Sequence, residues 1–277
     1  MQDNKPQQDT STQAPIKRTV LDYDDICQLA PFFKGKEKLV NRLFRMLAVD
    51  KVNWIHDHNC DTPGVPFVQG LLRDLNITID IRGEEVLKNL PKEGGFITVS
   101  NHPFGALDGI MLIKIIGEYR PDFKVMVNMI LNYISAMRPN FIAVSMKGIT
   151  TALRHVKDGH PLGFFPAGAV SKITPNLRIE DRLWQPNIIR LIKKLKVPVV
   201  PIYFHGHNST FFNILGMIDW RLRTLKLPSE VFRRHDQTFR VSVGQPIMPD
   251  EQAQYESLES LGEFLRERTY SMRKWDK

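Results

Sequence analysis

The chain has 277 residues, 42% of them apolar, and an excess of Lys and Arg over Asp and Glu that gives a net charge of +8 and a pI near 9.4. That apolar content suffices for one large core, or a core with a small appended subdomain, and it excludes a wholly disordered or fibrous chain. The positive charge suits an anionic partner, whether a membrane surface, an acidic carrier protein or nucleic acid, without choosing among them.

Residues 1–19 are rich in Gln, Asp and Thr, contain Pro6 and Pro15, and show no apolar periodicity. They read as a disordered leader, with no apolar segment of the signal-peptide kind. Between residues 36 and 55, Leu39, Val40, Leu43, Phe44, Met46, Leu47 and Val49 recur at helical spacing, and Lys36, Lys38, Arg42, Arg45 and Lys51 carry positive charge. An amphipathic helix is expected here, packed on the core with a solvated face, and the same basic face suits anionic lipid head groups. The pair His56 and His58 would share a face only on a strand, and no later Cys or His keeps a metal-site spacing. A polar turn is the expectation, and no metal. Cys27 and Cys60 are too few to staple a domain of this size and read as free thiols of a reducing cytosol. Beyond the Pro63 to Pro66 break, 67–75 reads as a short helix, 77–81 alternates as a strand, and 84–90 reads as a second helix.

The next stretch organises the chain. An apolar, β-branched run (96–99) leads into Ser100-Asn101-His102-Pro103-Phe104-Gly105-Ala106-Leu107-Asp108-Gly109, and a densely apolar helix (110–119) follows, stopped by Pro121. His102 therefore belongs at the mouth of a strand and Asp108 in the first turn of a helix. Pro103 and Gly105 make the connection tight enough for the carboxylate to reach the imidazole. A histidine held this way is suited to take a proton from a hydroxyl, whereas the same spacing also fits a helix-capping Asp beside an incidental His.

Strands are expected at 123–127 and 141–144. The apolar segment between them, 129–137, suits either a core helix or the lining of an acyl-chain groove. A helix at 150–157, a strand at 162–165 delivering Pro166-Ala167-Gly168, a helix at 186–196 and a strand at 197–204 continue the alternation. His205 and His207 close that strand, either as satisfied turn residues or facing a cleft. The apolar run 211–220, followed by Arg221 and Arg223, suits a buried or an interfacial helix. A last strand (239–243) and an amphipathic helix (253–271) complete the pattern, which is that of an α/β sheet covered on both faces. No run of about eighteen apolar residues occurs, so no single helix is expected to span a bilayer. No P-loop or dinucleotide fingerprint is present.

The stretch 100–109 resembles the first motif of the glycerolipid acyltransferases (the lysophosphatidic-acid and glycerol-3-phosphate acyltransferase superfamily). That motif usually places four residues between His and Asp, where five intervene here. The longer form is similar to a bacterial branch, often labelled hemolysin, whose members include O-acyltransferases that finish ornithine and glycine lipids. Two further blocks match in order. Phe164-Phe165-Pro166-Ala167-Gly168-Ala169-Val170-Ser171-Lys172 stands at the Phe-Pro-Glu-Gly-Thr-Arg-Ser block, and Val197-Pro198-Val199-Val200-Pro201-Ile202-Tyr203 at the later Val-Pro-Val-Val-Pro strand. The resemblance covers roughly residues 35–250.

The resemblance implies one acyltransferase domain over 20–277, a mixed and mostly parallel sheet covered by helices, with 20–66 as an N-terminal helical element. It implies His102 as general base and Asp108 as its orienting acid, with Asn101, Phe104, Gly105, Phe165, Pro166, Gly168 and Lys172 around the substrate. The backbone near Gly105 and Gly168 is expected to hold the oxyanion. The donor is an acyl thioester of acyl carrier protein or coenzyme A, the acceptor a lyso-lipid, and no cofactor or metal is implied. The place expected is the cytoplasm, peripheral on the anionic inner face of the cell membrane. Nucleic acid is not expected, because the basic residues are dispersed over several amphipathic helices.

The departures bear on the acceptor. Ala167 replaces the family's Glu, and Ala169-Val170 its Thr-Arg, residues associated with holding glycerol phosphate. The family's second block, which ends in Arg, is matched only loosely by Phe141-Ile142-Ala143-Val144, flanked by Arg138 and Lys147. Alanine and valine cannot supply an arginine clamp on phosphate. A lyso-aminolipid acceptor, N-(3-hydroxyacyl) glycine or ornithine, is therefore favoured over lysophosphatidate, unless Lys172 or Arg178 enters the site. A non-catalytic membrane-active protein is the reading from another class, and it leaves the His/Asp pair without a use.

Overall fold

The computed structural model describes residues 17–275 apart from 177, with backbone only at Ile130, Trp220, Arg221 and Leu222. Of the leader expected at 1–19, residues 1–16 thus lie outside the described part. Arg18 is tied down, with its guanidinium on Asp57 (2.8 Å) and Asp61 (3.2 Å).

Helices α1 (Tyr23–Leu29), α2 (Glu37–Met46) and α3 (Val49–Asn59) open the chain. The single helix expected over 36–55 is broken at Ala48, which takes a left-handed conformation (φ 59°). On one straight helix Val40 and His56 would point about 160° apart. The break lets both be buried. His56 and His58 therefore belong to a helix and not to the polar turn expected. His56 uses both ring nitrogens, Nδ1 on the Arg18 carbonyl (2.8 Å) and Nε2 on the Ser135 hydroxyl (3.2 Å).

The chain continues through α4 (Val65–Asp74), β1 (Thr78–Arg82), α5 (Glu84–Lys88), β2 (Ile97–Ser100), α6 (Ala106–Gly117) and β3 (Lys124–Val127). Two 3₁₀ turns, Met129–Tyr133 and Ser135–Asn140, take the place of a core helix at 129–137; Ala136 and Met137 are buried while Met129 and Tyr133 are exposed. Then come β4 (Phe141–Ala143), α7 (Met146–Lys157), β5 (Leu162–Phe164) and a two-stranded hairpin, β6 (Lys172–Ile173) and β7 (Ile179–Glu180). The remainder is α8 (Pro186–Leu195), β8 (Val199–Phe204), α9 (Thr210–Ile218), α10 (Trp220–Phe232), β9 (Thr238–Val243), α11 (Pro249–Ala253) and α12 (Leu258–Tyr270). The hairpin, α1 and α10 have no counterpart in the sequence-based elements.

Seven strands form one sheet in the order β1-β9-β8-β2-β5-β3-β4. From β8 to β4 all neighbours are parallel; β9 runs antiparallel to β8, and β1 parallel to β9. This is the mixed, mostly parallel α/β sheet expected. Every residue of β2 and β8 is buried, because apolar layers cover both faces. Phe67, Met111 and Ile113 belong to one layer, and Ile97, Val99, Ile192 and Leu261 to the other.

After β2 the chain crosses to one side of it, and β8 is later laid on the other. A crevice opens where such connections part, at the carboxyl ends of the strands, and His102 follows the end of β2.

At the opposite end of the sheet, buried Arg120 stitches three loops. It donates to the carbonyls of Pro91, Gly94 and Gly159, each at 2.9 Å, and grips Asp122 with two hydrogen bonds (2.9 and 2.7 Å). Replacing Arg120 by Ala strands these acceptors in a buried place, and the expected loss is about 3 kcal/mol of folding free energy. Urea denaturation of R120A measures it; a midpoint equal to that of the unsubstituted chain would show that the stitch contributes nothing.

Candidate active site

The site begins with a clamp between two strand ends. Asn101 follows β2, and its side chain donates to the carbonyl of Phe204 (2.9 Å) and accepts from the Phe204 N–H (2.7 Å), which fixes the ends of β2 and β8 together. Asn101 was expected to touch substrate. It is instead buried with both ends of its amide committed to backbone.

The turn Pro103-Phe104-Gly105 then feeds α6. Gly105, at φ 81°, caps the helix in a conformation that L side chains rarely adopt. Its N–H and that of Phe104 both donate to Oδ2 of Asp108, at 2.9 and 2.8 Å. The same oxygen lies 2.9 Å from Nδ1 of His102. The ring approaches off the N–H axis and makes no linear hydrogen bond to it, and Oδ1 has no hydrogen-bond partner among the described residues. Asp108 is fully buried. Burial pushes its pKa up, against the pull of His102 and the two backbone N–H groups.

His102 is pinned on its remaining sides. Its ring stacks on Phe165 at 4.1 Å between centroids, and its side chain retains 17% exposure. Its N–H donates to Asp181 (3.1 Å) and its carbonyl accepts from the Ser171 N–H (2.8 Å). Asp181 is the residue the sequence did not reveal. It is buried, accepts also from the Ser171 hydroxyl (2.6 Å) and the Trp184 indole (3.3 Å), and burial raises its pKa. It lies beside a strand of two residues, too short for any periodicity, and its partner is 79 positions away.

The other expected residues divide. Phe165 reaches the imidazole. Pro166 ends the strand, its carbonyl accepting from the Gln185 N–H (2.9 Å). Phe104 is core, set edge-on against Phe239. Gly168 has φ 63°, and a Cβ there would fall 2.1 Å from the Gln185 amide. Lys172 is exposed on the hairpin. The expected oxyanion donors are corrected: the Gly105 N–H is spent on Asp108, and the Gly168 N–H on the Phe165 carbonyl (2.9 Å).

Basic residues approach the 166–171 loop from elsewhere. Arg182 donates Nε to the Ala167 carbonyl (2.6 Å), and Arg223 donates to the carbonyls of Val170 and Ser171, both at 3.3 Å. Lys172, Arg178, Arg138 and Lys147 are all exposed. A concavity of about 560 Å³ opens at the β4 edge, lined by Asn132, Arg138 and Ser145, and His102 is not part of it. Among the described residues no group of three His, Cys, Asp or Glu is placed to hold a metal ion.

A family model described as acyltransferase matches residues 27–276. The lyso-glycine lipid O-acyltransferase of Bacteroides thetaiotaomicron is 30% identical over 227 residues, covering 76% of this chain and 80% of that protein. A protein of the same name from Phocaeicola vulgatus is 28% identical over 223 residues, with coverages of 76% and 78%. Among solved structures, the 1-acyl-sn-glycerophosphate (LPA) acyltransferase PlsC of Thermotoga maritima aligns with 91% of this chain and 92% of its own, at 15% identity and a TM-score of 0.49.

His205, after β8, is a satisfied histidine: Nε2 meets the Ser242 hydroxyl at 2.8 Å and Trp275 packs edge-on at 4.9 Å. Burial, then Arg240 and Arg82, lower its pKa from 6.5 to about 4. The unfolded chain therefore binds this proton first. His205 should contribute stability above about pH 6.5 that is lost as pH falls toward 4. Burial of Asp108 and Asp181 gives the opposite slope, so the test is the difference between the unsubstituted chain and H205Q across urea titrations at pH 4 to 7. A difference that stays flat with pH would remove His205 as a source of acid sensitivity.

Proposed function

The chain belongs to the acyltransferase family, and from that premise we propose that it moves a fatty acyl group from a thioester to the hydroxyl of a lyso-aminolipid, an N-(3-hydroxyacyl) glycine or ornithine. The observation that carries the chemistry is the His102–Asp108 pair just beyond the carboxyl end of β2. With Nδ1 turned to Asp108, Nε2 is the nitrogen left for the acceptor. His102 takes the hydroxyl proton as the oxygen attacks the thioester carbonyl. Collapse of the tetrahedral intermediate breaks the C–S bond, and the imidazolium returns its proton to the departing thiolate. Asp108 fixes the tautomer beforehand and stabilises the imidazolium. No acyl-enzyme is formed, so no nucleophilic side chain is needed.

The acceptor assignment rests on Ala167, Ala169 and Val170, which cannot grip a phosphate as the family's Glu and Arg do, and on the names of the two curated relatives. The donor is acyl carrier protein, an acidic partner that a chain of net charge +8 attracts. Among the described residues no helix is long and apolar enough to cross a membrane. The chain meets its lipid substrate from the surface, through basic α2 (Arg42, Arg45) and through α9, whose Phe211, Ile214, Met217 and Ile218 are exposed.

Three outcomes are expected. Replacing His102 by Ala should lower turnover about 10²–10⁴-fold with the fold intact; a folded H102A that acylates at the unsubstituted rate would end the general-base role. Given acyl carrier protein loaded with a fatty acid and both acceptors in one tube, the protein should prefer N-(3-hydroxyacyl)glycine to lysophosphatidate. The reverse preference would sink the aminolipid assignment and leave the acyltransferase standing. Flotation with vesicles should require anionic lipid and weaken as salt is raised, because exposed charges are screened; equal binding to neutral vesicles at every salt concentration would refute electrostatic docking.

A further inference from the structure

Arg223 occupies a prepared position. Its side chain crosses the face of α9 at Gly216, where a Cβ would lie 2.6 Å from its Cδ and 3.1 Å from Nη1. The ring of Phe212 lies 5.7 Å from the guanidinium, and the carbonyls of Val170 and Ser171 accept from its ends. The residue is half-buried, and its pKa is lowered by burial and then by Arg182. Arg182 approaches the same loop through Ala167, with Nη2 3.4 Å from the Cβ position of Gly168. Among the described residues no carboxylate stands within ion-pair distance of either arginine. Two guanidiniums on the carbonyls of one short loop, without a carboxylate partner, make a positive patch that favours an anion.

The loop that they grip is the one that holds His102. Ser171 donates its N–H to the His102 carbonyl and offers its own carbonyl to Arg223, so a single residue links the two. Leu227, one turn beyond Arg223 on α10, comes within 2.6 Å of a Cβ position on Gly105, beside the Asp108 cap. The guanidinium is thus within about 10 Å of the His102 backbone, given the length of one residue and its hydrogen bonds. In an N-(3-hydroxyacyl)glycine, the reacting hydroxyl and the carboxylate are separated by about two residues' length of extended chain, ~7 Å.

We propose that Arg223, with Arg182 beside it, binds the carboxylate of the acceptor's amino-acid head group, supplying from α10 and the segment after β7 the anion site that Ala167, Ala169 and Val170 do not provide. The inference rests on the aminolipid reading given above. Each guanidinium keeps further N–H groups beside those given to the loop, and these can donate charge-assisted hydrogen bonds to a carboxylate, whereas an ester offers no charge to them.

The test compares N-(3-hydroxyacyl)glycine with its methyl ester, at saturating acyl-carrier thioester, on the full chain. The acid should be favoured about 10–100-fold in kcat/KM, mostly through KM, the range expected for a hydrogen bond to a charged group. The acid-to-ester ratio should fall toward one in R223Q, fall less in R182Q, and be partly kept in R223K. Equal use of acid and ester by the unsubstituted protein overturns the proposal without any variant, while leaving the aminolipid reading intact. A rise in KM for the donor with an unchanged acid-to-ester ratio in R223Q would assign these arginines to donor phosphate and overturn it as well. No turnover of the glycine acceptor, with turnover of lysophosphatidate, would instead fail the aminolipid reading, and this inference with it.

Discussion

Oδ2 of Asp108 is shared by the N–H groups of Phe104 and Gly105 and by the imidazole of His102, all within 2.9 Å. A fully buried carboxylate is costly unless donors surround it, and here both backbone donors come from the turn between β2 and α6. The helix N-terminus adds its own preference for negative charge. The arrangement is mutually dependent: the turn takes its shape because the carboxylate gathers its N–H groups, and the carboxylate remains buried because the turn and His102 enclose it. Within this turn Gly105 holds a positive φ.

From that interaction the rest of the site follows outward. Asn101 ties β2 to β8, and Phe165 carries the end of β5 onto the imidazole. The His102 main chain is held from the far side by Asp181 and Ser171. Three neighbouring parallel strands thus deliver one ring, with contacts drawn from residues more than a hundred positions apart. A ring held this way is already oriented for the base role proposed for it, which is where much of the advantage of a positioned base lies.

How much of this the sequence disclosed depends on the range of the interaction. β2, β8 and β9 were legible because buried or half-buried strands carry their own apolar pattern, and Asp108 fell in the first turn of a helix as its spacing required. The His102–Asp108 pair was local, six positions apart. Asp181 was not, since nothing beside it marks a bond to a backbone N–H 79 residues earlier. Pattern also misled where local and tertiary demands differed. The periodicity of 36–55 is continuous, yet Ala48 breaks it so that both halves can bury residues. Small glycines were read as open N–H donors, whereas their N–H groups already close the turns that the glycines make possible.

The charges around His102 are ordered by depth, and the order is chemically useful. Asp108 and Asp181 are buried beside the ring and the main chain of His102, and each burial is eased by His102 itself. Carboxylates at this depth would stabilise the imidazolium that forms in the proposed proton transfer. Arg182 and Arg223 lie farther out, on the carbonyls of the 166–171 loop. The reverse order would oppose the proposed chemistry, because a guanidinium against the ring would disfavour an imidazolium, and a carboxylate at the rim would repel the anionic head group proposed above. The replacement of acid and arginine by Ala167, Ala169 and Val170 keeps the loop itself neutral, so that this separation of inner acid from outer base is maintained by elements on either side of it. Phe165 stacks on the imidazole, while the positive charge is carried by side chains that reach the loop from the segment after β7 and from α10.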